Sequence, residues 1–161
     1  MADDAMIPVR RVVTGNDTRG RSRVVWDGPA PNAHDAKTLT NAWTDFWVWH
    51  ESPAPLEGQN DDGNLPYDFP GPPNGGHLRA VYGKGSPAAS AYSSAAPHPY
   101  MQKVRALDFA IVLEGEIVLQ LDTEEVPMKV GEIAIVRGSN HAWSNRSNHP
   151  AVIAIASHGG A

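Results

Sequence analysis

The chain has 161 residues, no cysteine and a net charge of −5, from 13 Lys and Arg against 18 Asp and Glu. This length suits one domain that buries a core without cross-links. The absence of cysteine excludes disulfides, thiolate metal sites and a cysteine nucleophile. A mildly acidic chain without a basic stripe argues against nucleic-acid binding. Neither a signal-peptide pattern nor a long apolar run occurs, so we expect a cytoplasmic protein with no membrane contact.

The first half of the chain alternates short β-like runs with long loops. Residues 10–14 and 23–26 predict a hairpin, and the aromatic-rich run 44–50 predicts a third strand. Proline and glycine then dominate residues 51–76, which predicts a long irregular loop. Residues 78–82 resume strand character before a second loop of small and polar residues over 83–99.

The second half carries the clearest strand pattern. Residues 107–113 and 116–122 flank Glu114 and Gly115 and predict a hairpin with a tight turn. Further strands are predicted over 128–130, 132–137 and 151–157, with a turn at 138–140. Short strands at this spacing indicate a sandwich or a closed barrel. We therefore expect an all-β fold, with residues 1–75 as a strand and loop extension that packs on a barrel formed by residues 76–161.

Two segments carry a recognisable motif. MQKVRALDFAIVLEGEI, residues 101–117, contains Asp108 and Gly115 with six residues between them. GEIAIVRGSNHAWSN, residues 131–145, places His141 and Asn145 after two glycines. These segments, together with RRVVTGNDTRGRS near the start, resemble small single-domain cupins with an N-terminal extension. The resemblance implies a double-stranded β-helix, the jelly-roll barrel of that superfamily, and a turn-stabilising part for Asn145.

The resemblance also shows where the metal-binding pattern is degenerate. A metal-binding cupin supplies three histidines and a glutamate, and the matching positions here are Gln102, Val104, Asp108 and His141. Valine cannot bind a metal and a neutral amide oxygen is a weak ligand. Oxygenase chemistry is therefore disfavoured. Either one divalent ion (Zn, Fe, Mn or Ni) held by His141, Asp108 and Gln102, or no metal at all, is compatible with this set.

The functional residues implied by the cupin fold lie inside the barrel. His141 and Asp108 are the predicted catalytic pair, with a metal pair, an acid–base pair and a structural ion pair as open alternatives. Gln102, Trp143 and Arg137 are predicted to bind substrate, although Trp143 also suits a core position. His98 is a candidate extra ligand, and His77 shows no ligand spacing.

Two classes of function follow from this pattern. The first is a non-redox enzyme of the lyase, dehydratase, isomerase or decarboxylase type that acts on a small organic molecule in the barrel. The second is a non-catalytic small-molecule-binding cupin that has lost its metal, and a structural module is the third interpretation. The resemblance further implies a homodimer.

Overall fold

The protein is built from β-strands. The computed structural model describes residues 9–34, 41–58, 60–64, 71–93 and 95–160. The strands in this part of the chain are β1 Arg10–Asn16, β2 Ser22–Pro29, β3 Asn32–His34, β4 Asn41–Trp49, β5 Gly76–Gly83, β6 Gln102–Lys103, β7 Ala106–Glu114, β8 Glu116–Leu121, β9 Glu125–Lys129, β10 Ile133–Arg137, β11 Asn140–Ser144 and β12 Ala151–Gly159. One short 3₁₀ helix spans Pro87–Ala91. Among the described residues no helix is long and apolar enough to cross a bilayer. Residues 1–8, where no signal peptide is predicted, lie outside the described part, as do residues 59 and 65–70 of the predicted loop 51–76.

The strands form two large antiparallel sheets and a separate hairpin. The larger sheet has the order β10-β7-β12-β5-β4-β3, the smaller one β6-β11-β8-β9, and β1 pairs with β2 alone. The apolar core combines side chains from both large sheets: Ala110, Val112, Ile117, Leu119, Met128, Ala134, Val136 and Ile153. The all-β jelly-roll barrel predicted from the sequence is confirmed.

Period-two alternation decides which face of each strand packs inward. On β7 the inward positions Asp108, Ala110 and Val112 are buried, while Ile111 and Leu113, which alternate with them, are exposed. The same alternation on β10 buries its second and fourth residues and exposes the isoleucines beside them. The large sheet therefore has an inner face toward the core and an outer face that also carries apolar side chains.

The turn at Gly115 does not close a hairpin, and that prediction is wrong. Strand β7 pairs with β10 and β12, whereas β8 pairs with β9 and β11. Gly115 has φ +71, and an added Cβ would lie 2.5 Å from the carbonyl oxygen of Pro150. The tight turn thus takes the chain from one sheet to the other, because each flanking strand finds partners in a different sheet. A tight glycine turn alone does not distinguish these two connections.

The N-terminal strands are joined to the barrel. Strand β4 pairs with β5 along nearly its whole length, and β3 pairs with β4 at the end of the large sheet. The hairpin predicted near the start is confirmed as β1–β2. It is attached through Arg11, which donates hydrogen bonds to the carbonyl oxygen of Phe46 at 3.0 Å and to Asp61 at 2.8 and 2.5 Å. Strands β4 and β5 lie on either side of residue 75 and share one sheet. The predicted division of the chain into an extension and a barrel at residue 75 stays a prediction.

The segment after β5 covers the outer face of the small sheet. The backbone N–H of His98 donates to the side-chain oxygen of Gln120 at 3.0 Å, and Gln120 is fully buried. Arg146 donates to the carbonyl oxygen of Tyr92 at 2.8 Å and to both oxygens of Glu125. The imidazole of His98 packs between Tyr92 and Tyr100. His98 therefore belongs to this outer cover and not to the barrel interior.

Candidate functional site

A row of polar side chains crosses the inner face of the large sheet. In the strand register, Asp108 on β7 lies opposite Ser157 on β12, and Ser157 lies opposite His77 on β5. Residues that face each other across neighbouring strands point to the same side of the sheet. All three are buried, and Asp108 alternates with the core residues Ala110 and Val112. One end of an otherwise apolar interior is therefore polar.

A hydrogen bond holds Asp108 in this row, and burial decides the charge of His77. The hydroxyl of Ser157 donates to Oδ1 of Asp108 at 2.5 Å, a length typical of a hydroxyl bound to a carboxylate. Burial, with smaller contributions from the positive charges of Arg79 and His158, lowers the pKa of His77 from its usual 6.5 to about 3. His77 is therefore a neutral imidazole at physiological pH.

His141 enters the interior from the small sheet. It lies on β11 opposite Leu121, and two residues later Trp143 packs against the apolar core from the same face. Its Nδ1 is 2.9 Å from the carbonyl oxygen of Ser139. Because a carbonyl oxygen only accepts, Nδ1 carries a hydrogen, and the tautomer with this hydrogen has its lone pair on Nε2. Among the described residues no group hydrogen-bonds to that Nε2.

Asp108 and His141 lie at the same end of the barrel without touching. Val136 pairs with Asp108, and the chain reaches His141 five residues later through the turn at Gly138 and Ser139. No ion pair within 4.0 Å joins the two side chains, both of which the structure describes. They are two separate buried groups on facing sheets, so the alternative of a structural ion pair is wrong. Their catalytic role stays a prediction.

The other predicted site residues lie in three different environments. Gln102, on the edge strand β6, pairs with His141 in register, but it is exposed and so stands at the barrel rim. Trp143 is half-buried against the core, which suits both a pocket wall and a core position. Arg137 points outward, since its neighbour Val136 is the inward residue, and it is exposed. Arg137 therefore does not line the barrel interior.

The donor set does not fit a transition-metal site. Within the described part of the chain, no three His, Asp or Glu side chains are close enough to hold one ion. Val104 offers no ligand, and Asp108 is already engaged by Ser157. A zinc, iron, manganese or nickel centre would need more donors than His141 and Asp108 supply.

A second buried polar cluster was not predicted from the sequence. Arg79 donates to Asp45 at 2.6 Å, and both side chains are almost completely buried. The guanidinium lies 5.7 Å from the ring of Trp43, which stacks on His34 at 5.0 Å. Nε2 of His34 is 3.5 Å from Oδ2 of Asp45. Those two atoms and Nε1 of Trp43 are buried without a hydrogen bond.

The sequence does contain a signal for these residues. In GHLRAVYG, period-two alternation places His77, Arg79 and Val81 on one face of a strand. An arginine and a histidine on the face of a valine that packs against the core predict a polar interior. What the alternation does not reveal is that Asp45 comes to lie opposite Arg79, since this depends on how β4 pairs with β5.

Comparison with known proteins agrees with the geometry. Residues 94–157 match the family model described as the cupin domain, Cupin_2. The chain contains a cupin domain. A curated relative, "Phomopsin biosynthesis cluster protein C'" from Diaporthe leptostromiformis, is 45% identical over 49 residues, which are 30% of this chain and 26% of that protein. The aligned part of this cupin thus spans about a quarter of the relative's length.

Solved structures show the same fold at low sequence identity. The cupin domain of Cnp3 from Schizosaccharomyces pombe superposes with a TM-score of 0.52 and 13% identity, covering 93% of this chain and 87% of that one. An RmlC-like cupin from Shewanella frigidimarina NCIMB 400 gives a TM-score of 0.51 at 9% identity, covering 80% and 84%. At these identities the likeness establishes the cupin fold alone.

Proposed function

We propose that this cupin binds a small molecule bearing a carbonyl and a hydroxyl group at the polar end of its barrel, and moves a proton on it without net oxidation or reduction. The observation that carries the proposal is the state of His141. Its ring is buried, its Nδ1–H is held by the carbonyl of Ser139, and its Nε2 lone pair has no protein partner among the described residues. A buried imidazole with one nitrogen held and one unoccupied suits a proton acceptor.

The two buried groups, His141 and Asp108, would have different roles in the reaction. In a substrate with a hydroxyl group next to a carbonyl, a proton leaves the hydroxyl-bearing carbon for Nε2 of His141 while the carbonyl oxygen takes up a proton from water, which gives an enediol. His141 then returns its proton to the former carbonyl carbon while the original hydroxyl loses its proton to water, so that the carbonyl and the hydroxyl exchange places without net oxidation or reduction. The carbonyl of Ser139 stabilises the imidazolium formed between these steps, since it accepts from Nδ1–H. Asp108, fixed by Ser157, would accept a hydrogen bond from a substrate hydroxyl, and neutral His77 completes that wall.

Gln102 and Trp143, two further predicted site residues, would contact the substrate. Gln102 at the rim can both donate and accept, which suits a hydroxyl or carbonyl entering the barrel. Trp143 supplies an apolar wall next to His141, with ring centroids 6.2 Å apart. The relative from Diaporthe leptostromiformis is named for a biosynthesis cluster, and that name agrees with an enzyme acting on a small organic molecule.

Proton exchange tests the proposal whichever product is formed. The protein is incubated in D₂O with a panel of small oxo acids, hydroxy acids and keto sugars, and deuterium incorporation is followed by proton NMR. We expect incorporation into at least one compound, lost by about 10²-fold or more in His141→Gln. His149→Gln, at an exposed loop histidine, is the matched control and retains the rate. Equal rates in both variants would remove His141 from the mechanism.

A non-catalytic binding cupin is the second candidate, and the cluster around Asp45 favours it. Buried polar atoms without hydrogen bonds are rare in folded proteins. A ligand hydroxyl that reached this cluster could donate to Oδ2 of Asp45, and a ligand oxygen could accept from Nε1 of Trp43, without any chemistry. A compound that raises the melting temperature of the wild type and of His141→Gln equally, with no deuterium exchange, would select this candidate.

A further inference from the structure

A basic cleft lies outside the barrel, beside its polar end. It has a volume of about 400 Å³ and is lined by Lys103, Arg105, Arg137, Gly138 and Gly160 together with three apolar residues. Three cationic side chains and no carboxylate thus contribute to its walls. This is unusual for a chain whose net charge is −5.

No carboxylate in the described part of the chain neutralises the three cations. Among the described residues, Arg10, Arg11, Arg21, Arg79 and Arg146 each form an ion pair with an Asp or Glu. No carboxylate of the described residues lies within 4.0 Å of Lys103, Arg105 or Arg137. Like charges around one cleft repel one another, and a bound anion would relieve that repulsion.

Backbone hydrogen bonds hold the walls of the cleft in place. The N–H of Gly138 donates to the carbonyl of Ala106 at 3.0 Å, and the N–H of Gly160 donates to the carbonyl of Arg105 at 3.0 Å. Gly138 has φ +63, a conformation that favours glycine. The segment that carries Arg105 is therefore held between the turn at Gly138 and the end of β12, which fixes the backbone from which both arginines extend.

The cleft shares its walls with the candidate site. Arg137 follows Val136, whose cross-strand partner is Asp108, and Leu107 in the cleft precedes Asp108 on β7. Lys103 follows Gln102, the register partner of His141. The segment that carries Arg105 and Leu107 of the cleft thus also carries Asp108 of the polar row.

We propose that this cleft binds the phosphate group of a phosphorylated small molecule whose other end reaches His141. Two guanidinium groups present paired N–H donors that match the oxygens of a phosphate, and the lysine adds a third charge. A dianion balances more of this charge than a single carboxylate does. The inference rests on the proposed function for the fate of the bound molecule, but the anion site itself stands on the cleft geometry.

Titration with inorganic phosphate, followed by calorimetry at constant ionic strength, tests the site directly. We expect saturable binding by the wild type that weakens about tenfold or more in Arg105→Gln/Arg137→Gln, a loss of about 1.4 kcal/mol or more. The control Arg19→Gln/Lys84→Gln removes two exposed cations elsewhere and should bind as the wild type does. Equal weakening in both double variants, or no effect of either, would overturn the proposal.

Two further measurements separate the alternatives. Succinate is titrated in parallel, and tighter binding of succinate than of phosphate through the same arginines would overturn the phosphate assignment. Phosphate binding is also measured in His141→Gln, where we expect it to be unchanged. A protein that binds phosphate normally while no compound exchanges deuterium would contradict the proposed catalysis and leave the anion site established.

Discussion

Ser157 and Asp108 are joined by a hydrogen bond of 2.5 Å that links β12 to β7 inside the barrel. Both side chains are buried, so the carboxylate depends on this hydroxyl in place of water. The contact also lies between His77 on one side and Val136 on the other along the same row. The polar end of the barrel is thus organised around one serine that connects two strands.

Replacing Ser157 by alanine should destabilise the protein. The substitution removes the donor and leaves Asp108 buried with one partner fewer, at a cost of about 1–3 kcal/mol. Urea denaturation of Ser157→Ala measures this loss. Ser22→Ala, at an exposed position in β2, is the control and should change stability by less than about 0.5 kcal/mol. Equal stability of the two variants would mean that Asp108 finds water instead.

His77 should make stability depend on pH in the acidic range. The unfolded chain protonates this residue near pH 6.5, whereas burial in the folded protein lowers its pKa to about 3. Unfolding therefore takes up a proton between these values. The free energy of unfolding is at its full value above about pH 6.5 and falls as the pH drops toward 3, by at most about 1.4 kcal/mol per pH unit.

The comparison of two histidine variants isolates this effect. Denaturation midpoints of the wild type, His77→Gln and His149→Gln are measured from pH 7 to pH 4.5. We expect a shallower decline for His77→Gln than for the wild type, and no change of slope for the exposed His149. Parallel curves for all three proteins would show that His77 keeps an ordinary pKa in the folded state.

The buried pair of Arg79 and Asp45 should be sensitive to loss of one partner. Arg79→Met leaves the fully buried Asp45 without its cation, and such losses cost about 3–5 kcal/mol. The exposed pair of Arg10 and Asp27 has the same chemistry, but Arg10→Met should destabilise the protein far less, because solvent screens that pair. Urea denaturation of both variants measures and compares the two losses in the free energy of unfolding. A double variant, Arg79→Met/Asp45→Leu, should recover part of the loss, because it removes both buried charges.

The outer face of the large sheet carries exposed apolar side chains, and we propose that a second copy of the chain covers them. Ile133 and Ile135 on the end strand β10 are 59% and 60% exposed, and Leu113 on β7 is 53% exposed. Contiguous apolar patches of this kind mark interaction surfaces. A twofold pairing through one such face is closed and buries the patch of both copies at once.

Light scattering of the purified protein should therefore report a dimer. Ile135→Glu, which introduces a charge into the patch, should shift the mass toward the monomer. Val24→Glu is the control, because Val24 is similarly exposed but lies on the separate hairpin. A wild type that is monomeric at micromolar concentration would contradict the proposal.

The sequence by itself determined the fold class and much of the barrel. Local features can be read from a single sequence. Here they are the alternating strands, the turn at Gly138 and the spacing around His141 and Asn145. Asn145 illustrates this, since its amide donates to the carbonyls of Gly83 and His149 and stabilises the turn as predicted. The burial of Asp108 and His141 also followed from position in the motif.

Tertiary structure decided everything that depends on which strands pair. Gly115 connects two sheets instead of closing a hairpin, because β7 and β8 find partners far away in sequence. The same pairing turns Arg137 outward and sets His77 beside Ser157, and it buries Asp45 against Arg79. Register across strands is a long-range property, and a shift by one residue would exchange the inner and outer faces. The barrel-lining residues outside the motif, such as His77 and Ser157, therefore became known only once the sheets were assembled.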